Sequence, residues 1–463
     1  MVGLGIFASV FAVFGLVAAR AERAGLSRPF VFMVAGAVVA WTGAVHPLSS
    51  ERPAGLLLSL AEVALTLVLF ADASRVSLSQ LRNRTALPAR LLGPGMLLSI
   101  GFGTVVGLWL FGELDGWECA ALAAILVPTD AALGAAVVED ERVPQRIRQA
   151  LNVEAGLNDG LAVPFLLLFV AGATVTQGFE PVSFWATTVV QKVGIGLVGG
   201  VVVGALAGEL ARRARAASWS SPTSEQLAMA GVALALFVFT EELGGSGFIA
   251  AFVGGLAAGS RLRDARAPAL GFTDEGGAVV GAFVFFALGL FAVGLSDRLT
   301  WQVCVYAVLS LTVVRMLPVA IALLGSGLRA PTVAFIGWFG PRGLASVVLA
   351  LVVLEQDRQL PHIGTVVMTS LTTVILSVVA HGLSAAPLSG RYGAWAATLP
   401  PGAPELGIAP AVPTRRSALR ARVAQPADPD PASQSPADVL RANERAKRDA
   451  ARGRKDPCPP TLG

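Results

Sequence analysis

Leu151-Asn152-Val153-Glu154-Ala155-Gly156-Leu157-Asn158-Asp159-Gly160 is followed by Leu161, Ala162, Val163, Pro164 and an apolar run from Phe165 to Val170. The stretch is long enough to cross a bilayer, yet it carries two carboxylates and two carboxamides. Ionisable groups at membrane depth are costly and by default mark functional sites. Helical spacing puts Glu154 and Asn158 on one face, four residues apart, and Ala155 with Asp159 on the face beside it. Glu154 and Asn158 therefore face one neighbour while Asp159 faces another.

The composition around this stretch is that of a membrane protein. Of 463 residues, 54% are hydrophobic and 14% are charged, with a mean hydropathy of +0.68. Soluble domains average about a quarter charged. Apolar runs of about 18 residues or more recur from the N-terminus to the region of residue 390, which defines an all-α polytopic protein. Thirteen spans are predicted, over 4–20, 29–46, 54–72, 89–111, 117–139, 148–172, 183–211, 224–242, 246–260, 276–297, 300–324, 330–354 and 362–387. The 51 glycines suit close helix approach in lipid, where the hydrophobic effect does not drive helices together.

Loop charges fix the topology. Loops after odd spans hold Arg20, Arg23 and Arg28; Arg75, Arg82, Arg84 and Arg90; Arg142, Arg146 and Arg148; Arg212, Arg213 and Arg215; Arg261, Arg263 and Arg266; and Arg329. Loops after even spans hold Glu113, Asp115 and Glu118, or Glu241 and Glu242. This alternation predicts an outside N-terminus and a cytoplasmic C-terminus in the cell membrane. No positive charge precedes the first apolar run, so it reads as a retained span and not a cleaved signal.

The net charge of +4 lies in the tail, where 11 Lys/Arg face 7 Asp/Glu from Pro401 onward. Nothing here points to nucleic acid. Cys119, Cys304 and Cys458 are scattered and the three histidines are dispersed, so no disulfide framework, metal site or cofactor is expected. The tail is rich in Pro, Ala, Arg and Asp and buries too little apolar surface to fold alone. The chain divides into a transmembrane domain over 1–395 and a mostly disordered cytoplasmic tail over 396–463, with a polar helix in 437–455 as its one candidate element.

Two spans are interrupted at similar depth. Val127-Pro128-Thr129-Asp130-Ala131 breaks the fifth, and Gly337-Trp338-Phe339-Gly340-Pro341-Arg342-Gly343 breaks the twelfth. Each proline removes a backbone donor and clashes with the preceding turn. Freed carbonyls and amides are tolerable at that depth only where they line a cavity or meet protein. Paired breaks in corresponding halves point to inverted repeats and to a midplane transport site. Arg342 is permanently charged and requires a carboxylate, for which Glu154 is the expected partner. Asp159 then lacks a fixed cation, and burial raises its affinity for a proton. A proton and a small alkali cation would compete for this one carboxylate, which is the logic of an exchanger.

These residues carry a resemblance. Asn152 to Gly160, Thr129-Asp130, Gly337 to Gly343, Gly244-Gly245-Ser246-Gly247-Phe248 and His381-Gly382-Leu383-Ser384 are similar to motifs of the cation/proton antiporter-1 family, of the NhaP and sodium/hydrogen-exchanger type. The likeness covers about residues 5–390. It implies a homodimer in the lipid bilayer, with a mobile core (about 89–172 and 300–387) moving like an elevator against a dimerisation part (about 4–72 and 183–297). It also implies that Asp159 carries the cation, with Asp130, the Thr129 carbonyl and a water held by Glu154 completing its shell. Asn158 in place of a second aspartate implies electroneutral exchange. Sodium is the first expectation for the cation and potassium the alternative, both as substrates. Two departures stand out. Ala155 replaces the usual serine, and Ala131 replaces the proline that usually follows Thr-Asp.

Several other features have plainer readings. Arg315, in the eleventh span near Pro318, reads as a helix anchor, since it would repel a passing cation. Glu62 and Asp72 serve an interface or line a funnel, and Pro164 marks a kink. Gly244-Gly245-Ser246-Gly247 also matches the Gly-x-Ser-Gly pattern of intramembrane serine proteases. With His381 it defines an alternative hydrolase reading.

Overall fold

The computed structural model describes residues 2–23, 26–43, 52–76, 86–176, 182–262, 271–295, 299–356 and 361–407. Among these residues all regular structure is helical: α1 (Val2–Arg23), α2 (Arg28–Trp41), α3 (Arg52–Arg75), α4, α5 (Gly116–Ile125), α6 (Ala131–Val138), α7 (Gln145–Thr176) and α8 (Val182–Ala216). There follow α9 (Pro222–Glu242), α10 (Gly247–Leu262), α11 (Gly271–Leu295), α12 (Trp301–Leu311), α13 (Val313–Ala322), α14 (Ala330–Trp338), α15 (Leu344–Gln356) and α16 (Ile363–Ala396). Helix α4 runs through Ala86–Arg90, a π-helical turn at Leu91–Gly95 and Met96–Leu110. Its Pro94 cannot donate to the preceding turn, and the wider turn accommodates it. The pairs α5/α6, α12/α13 and α14/α15 each make one span, so the described helices account for the thirteen predicted spans. Among the described residues, seven helical segments are long and apolar enough to cross a membrane, α4, α7 and the α12–α13 pair among them.

Local sequence sets the helix starts. Asp115 and Glu118 form a capping box on α5, Ser221 caps α9 ahead of Pro222, and Thr300 caps α12. Each side chain satisfies an amide that the first helical turn leaves without a partner.

Two groups of helices pack among themselves. In one, α8 presents Gly196, Gly200, Gly204 and Gly208 at every fourth position to α10. A Cβ on Gly200 would lie 2.7 Å from the Ala250 carbonyl oxygen, one on Gly208 2.8 Å from that of Ala258, and one on Gly204 on the Gly254 carbonyl. Gly255 and Gly259 of α10 press equally closely on the Phe70 and Ser74 carbonyls of α3. Gly36 of α2 and Gly289 of α11 do the same against Phe286 and Met33. Backbone-to-backbone approach of this kind gains dispersion contacts where lipid supplies no hydrophobic drive. Phe7, Phe32, Phe283 and Phe286 fill the junction of α1, α2 and α11, with Phe7 and Phe283 edge to face at 5.2 Å. The second group, α4 to α7 with α12 to α16, surrounds the two broken spans.

The chain after α16 differs from the disordered tail predicted from residue 396. It folds back into a 3₁₀ turn at Pro404–Leu406. Glu405 there is fully buried and accepts the Arg329 N–H at 2.8 Å, at the start of α14. Arg146 donates to the Pro404 carbonyl. One buried carboxylate with ready-made donors outweighs the polar composition around it. Residues 408–463, including the candidate helix at 437–455, lie outside the described residues.

Gly204→Ala should destabilise the fold by about 1–3 kcal/mol, the usual cost of overpacking, whereas Gly231→Ala, which meets no atom within 4 Å, should not. Thermal melts in detergent compare the two.

Candidate functional site

The two broken spans meet at their breaks. The Asp130 N–H donates to the Pro341 carbonyl at 2.7 Å. The Asp130 side chain then serves two helices. Its Oδ1 accepts the N–H groups of Ala132 (2.7 Å) and Leu133 (2.9 Å) in α6, and its Oδ2 accepts the Leu344 N–H of α15 (2.8 Å). One carboxylate thus caps two helix N-termini, where the helix dipoles favour negative charge. Gly343 is required beside it, since a Cβ there would overlap the Asp130 carboxylate.

The C-terminal ends are capped in turn. Arg342, 1% exposed, donates to the Val127 carbonyl at 2.7 Å and reaches that of Pro128 at 3.4 Å, just beyond α5. Its backbone N–H donates to Ser377 Oγ of α16 at 2.7 Å. The His381 Nε2 lies 2.9 Å from the Trp338 carbonyl at the end of α14, while Nδ1 lies 2.9 Å from the Ser377 carbonyl.

This geometry corrects the predicted ion pair. Glu154 is bonded to Arg315 of α13, not to Arg342, with Nη1 to Oε1 at 2.6 Å and both side chains buried. The reason is competition for acceptors. Arg342 stands inside a break and is taken by carbonyls that the opposite break has freed. Arg315, three residues before Pro318 in α13, is met by the Glu154 carboxylate of α7.

Helix α7 brings Asn158 to the same place. The Asn158 Nδ2 donates to Thr129 Oγ1 at 2.7 Å, which ties α7 to the first break. The bond orients the carboxamide, and the buried Asn158 Oδ1 receives no hydrogen bond. Asp159 is buried at 8% exposure. The structure therefore brings Asn158 to Thr129 beside the capping Asp130, with Glu154 one turn along α7 and held by Arg315, while Asp159 is the next residue of α7 and is buried. Asp130 has a helix-capping task that the sequence reading did not assign, although an aspartate at the first position of a helix announces it. Asp72 of α3 stands against Gly156, whose Cβ would meet that of Asp72 at 3.7 Å, and it pairs with Arg75 at 3.2 Å. Ser377 was missed, although it lies four residues before His381 on the same helix face.

The hydrolase dyad does not form. Ser246 caps α10, with its Oγ 3.5 Å from the Ile249 N–H, and its own N–H donates to the Lys192 carbonyl. His381 is bonded to Ser377 and Trp338 instead.

Two pairs of half-helices crossing beside a carboxylate-bearing helix define a polytopic membrane protein with the antiporter fold. The solved sodium proton antiporter MjNhaP1 of Methanocaldococcus jannaschii is similar, with a TM-score of 0.68 at 19% identity over 83% of this chain and 99% of that one. The family described as sodium/hydrogen exchanger, transmembrane, matches residues 8–390, and the chain belongs to it. Curated relatives include the K(+)/H(+) antiporter NhaP of Alkalimonas amylolytica, 25% identical over 80% of this chain and 63% of that protein. The K(+)/H(+) antiporter NhaP2 of Shewanella oneidensis is 25% identical over 82% and 65%. The chain thus spans under two thirds of the length of these two relatives.

Glu154→Ala should cost about 3–5 kcal/mol by leaving Arg315 buried without its carboxylate, and Arg315→Ala a similar amount. The double variant should lose clearly less than the sum. Melting of the four proteins in detergent tests the pair.

Proposed function

We propose that this chain is a secondary transporter that exchanges a monovalent cation for protons, and not an enzyme. The observation that carries the reading is the Asn158–Asp159 step. A buried carboxamide oxygen without a donor is held at the first break by the Asn158–Thr129 bond, and the next residue of the helix is a buried carboxylate. Oxygen ligands of this kind suit an alkali cation. Asp159 binds the cation or a proton, and Asn158 and Thr129 bound the same space. Asp130 and Arg342 balance the helix ends, and the Glu154–Arg315 pair holds α7 against α13. None of the latter charges need change during a cycle, which fits electroneutral exchange at one carboxylate.

The antiporters named above support the reaction class. The potassium of the two NhaP relatives, together with the missing hydroxyl at Ala155, favours potassium over the sodium first expected from the sequence. A larger ion demands fewer close ligands. The arginine-bearing loops favour a cytoplasmic C-terminus and an outside N-terminus. Helices α1–α3 and α8–α11 act as the scaffold of a homodimer, and the helices around the crossing move against them.

In proteoliposomes carrying a pH gradient, cation addition should drive proton flux, with potassium, sodium and lithium compared in turn. Asp159→Asn should abolish that flux while the protein still folds, and Ser246→Ala should leave it intact. Cation and proton should compete, so that the apparent KM for the cation rises as the pH falls while the maximal rate holds. Full exchange by Asp159→Asn would refute the assignment.

A further inference from the structure

Helix α7 lacks a side chain at two places where it meets the scaffold. At Gly160, directly after Asp159, an added Cβ would lie inside the ring of Phe252 of α10, 2.7 Å from Cδ1 and closer still to Cγ and Cδ2. At Gly156, one turn earlier, an added Cβ would meet only the Asp72 Cβ at 3.7 Å, the Asp72 carbonyl oxygen at 3.8 Å and Val76 at 4.0 Å, all ordinary contacts. Gly160 is thus a notch filled by an aromatic ring, and Gly156 is a matching notch with room to spare.

The ring has little freedom to retreat. Phe252 is 5% exposed. Its helix is pinned on both sides by glycine-to-carbonyl contacts, to α8 through Gly200, Gly204 and Gly208 and to α3 through Gly255 and Gly259. Relative motion at this contact therefore belongs to α7. One turn beyond Gly160 in the other direction stands Pro164, whose ring offers no notch. Ridge-and-groove packing of this kind resists continuous sliding and favours whole-turn steps.

We infer that Phe252 is a positioning residue for exchange, seated on Gly160 in the register described and on Gly156 after α7 advances by one turn. The step is about 6 Å for four residues along the helix axis, and it carries Asp159 past the scaffold. This rests on the antiport reading, and it adds the residues that define the two end positions and the direction of travel.

Two measurements test it on the full chain in membranes. With Cys119, Cys304 and Cys458 changed to serine, Phe252→Cys is combined with either Gly160→Cys or Gly156→Cys, and a short thiol crosslinker is added. Both pairs should crosslink. Linkage of the Gly160 pair alone overturns the two-register inference, whatever the transport assay reads. In proteoliposomes, Gly156→Ala should melt like the wild type, since its Cβ has room in the register described, yet turn over about tenfold more slowly because the second register is filled. Adding Phe252→Ala should restore the rate. Wild-type turnover in Gly156→Ala would overturn the inference. If instead the wild type moves protons with no cation, the antiport reading fails, and the crosslinks still decide the register.

Discussion

A helix broken at membrane depth leaves amides and carbonyls that lipid cannot satisfy, and this protein breaks two helices side by side. The bond set around Asp130 is the solution on which the rest of the structure depends. One carboxylate closes the N-terminal ends of α6 and α15, and the guanidinium of Arg342 closes the C-terminal end of α5. The two charges are placed where the helix dipoles want them, so the crossing is held by local electrostatics as well as by packing. Gly343 and Ser377 exist at their positions to let these groups approach.

With the crossing fixed in this way, α7 is free to specialise. Its Asn158 is tied to Thr129, its Glu154 to Arg315, and its glycines to the scaffold. The helix thus offers one face to the half-helices and another to α3 and α10. Residues 154 to 160 place an anchor, an oriented carboxamide, a buried carboxylate and a smooth contact within two turns. The scaffold behind them is built on glycine, so its own backbone contacts leave no slack.

Much of this was legible in the sequence. Lipid imposes a minimum apolar length and a charge asymmetry on loops, and those two constraints give the thirteen spans, while Pro128 and Pro341 mark both breaks. Asn158, Asp159, Thr129 and Asp130 stand out because polar groups at that depth need a reason. The partner of Glu154 was not legible. Arg315 and Arg342 are both buried and both charged, and the choice between them turns on which one reaches the carbonyls at the opposite break. That is a property of two segments some 200 residues apart in the chain. The capping role of Asp130 toward α15 was hidden for the same reason. The close fit of Gly160 to Phe252 depends on the rotation of two helices about their axes, which no periodicity fixes.

The 3₁₀ turn at Pro404–Leu406 alters what it means to shorten this protein. Glu405 supplies the acceptor for the Arg329 amide and lies 3.3 Å from the Thr332 hydroxyl, itself 3.0 Å from that of Tyr392. A stop codon placed at the end of the last long helix would strip the first turn of α14 of its cap. The boundary between membrane body and appendage therefore falls beyond Leu406, some ten residues later than hydropathy alone would put it.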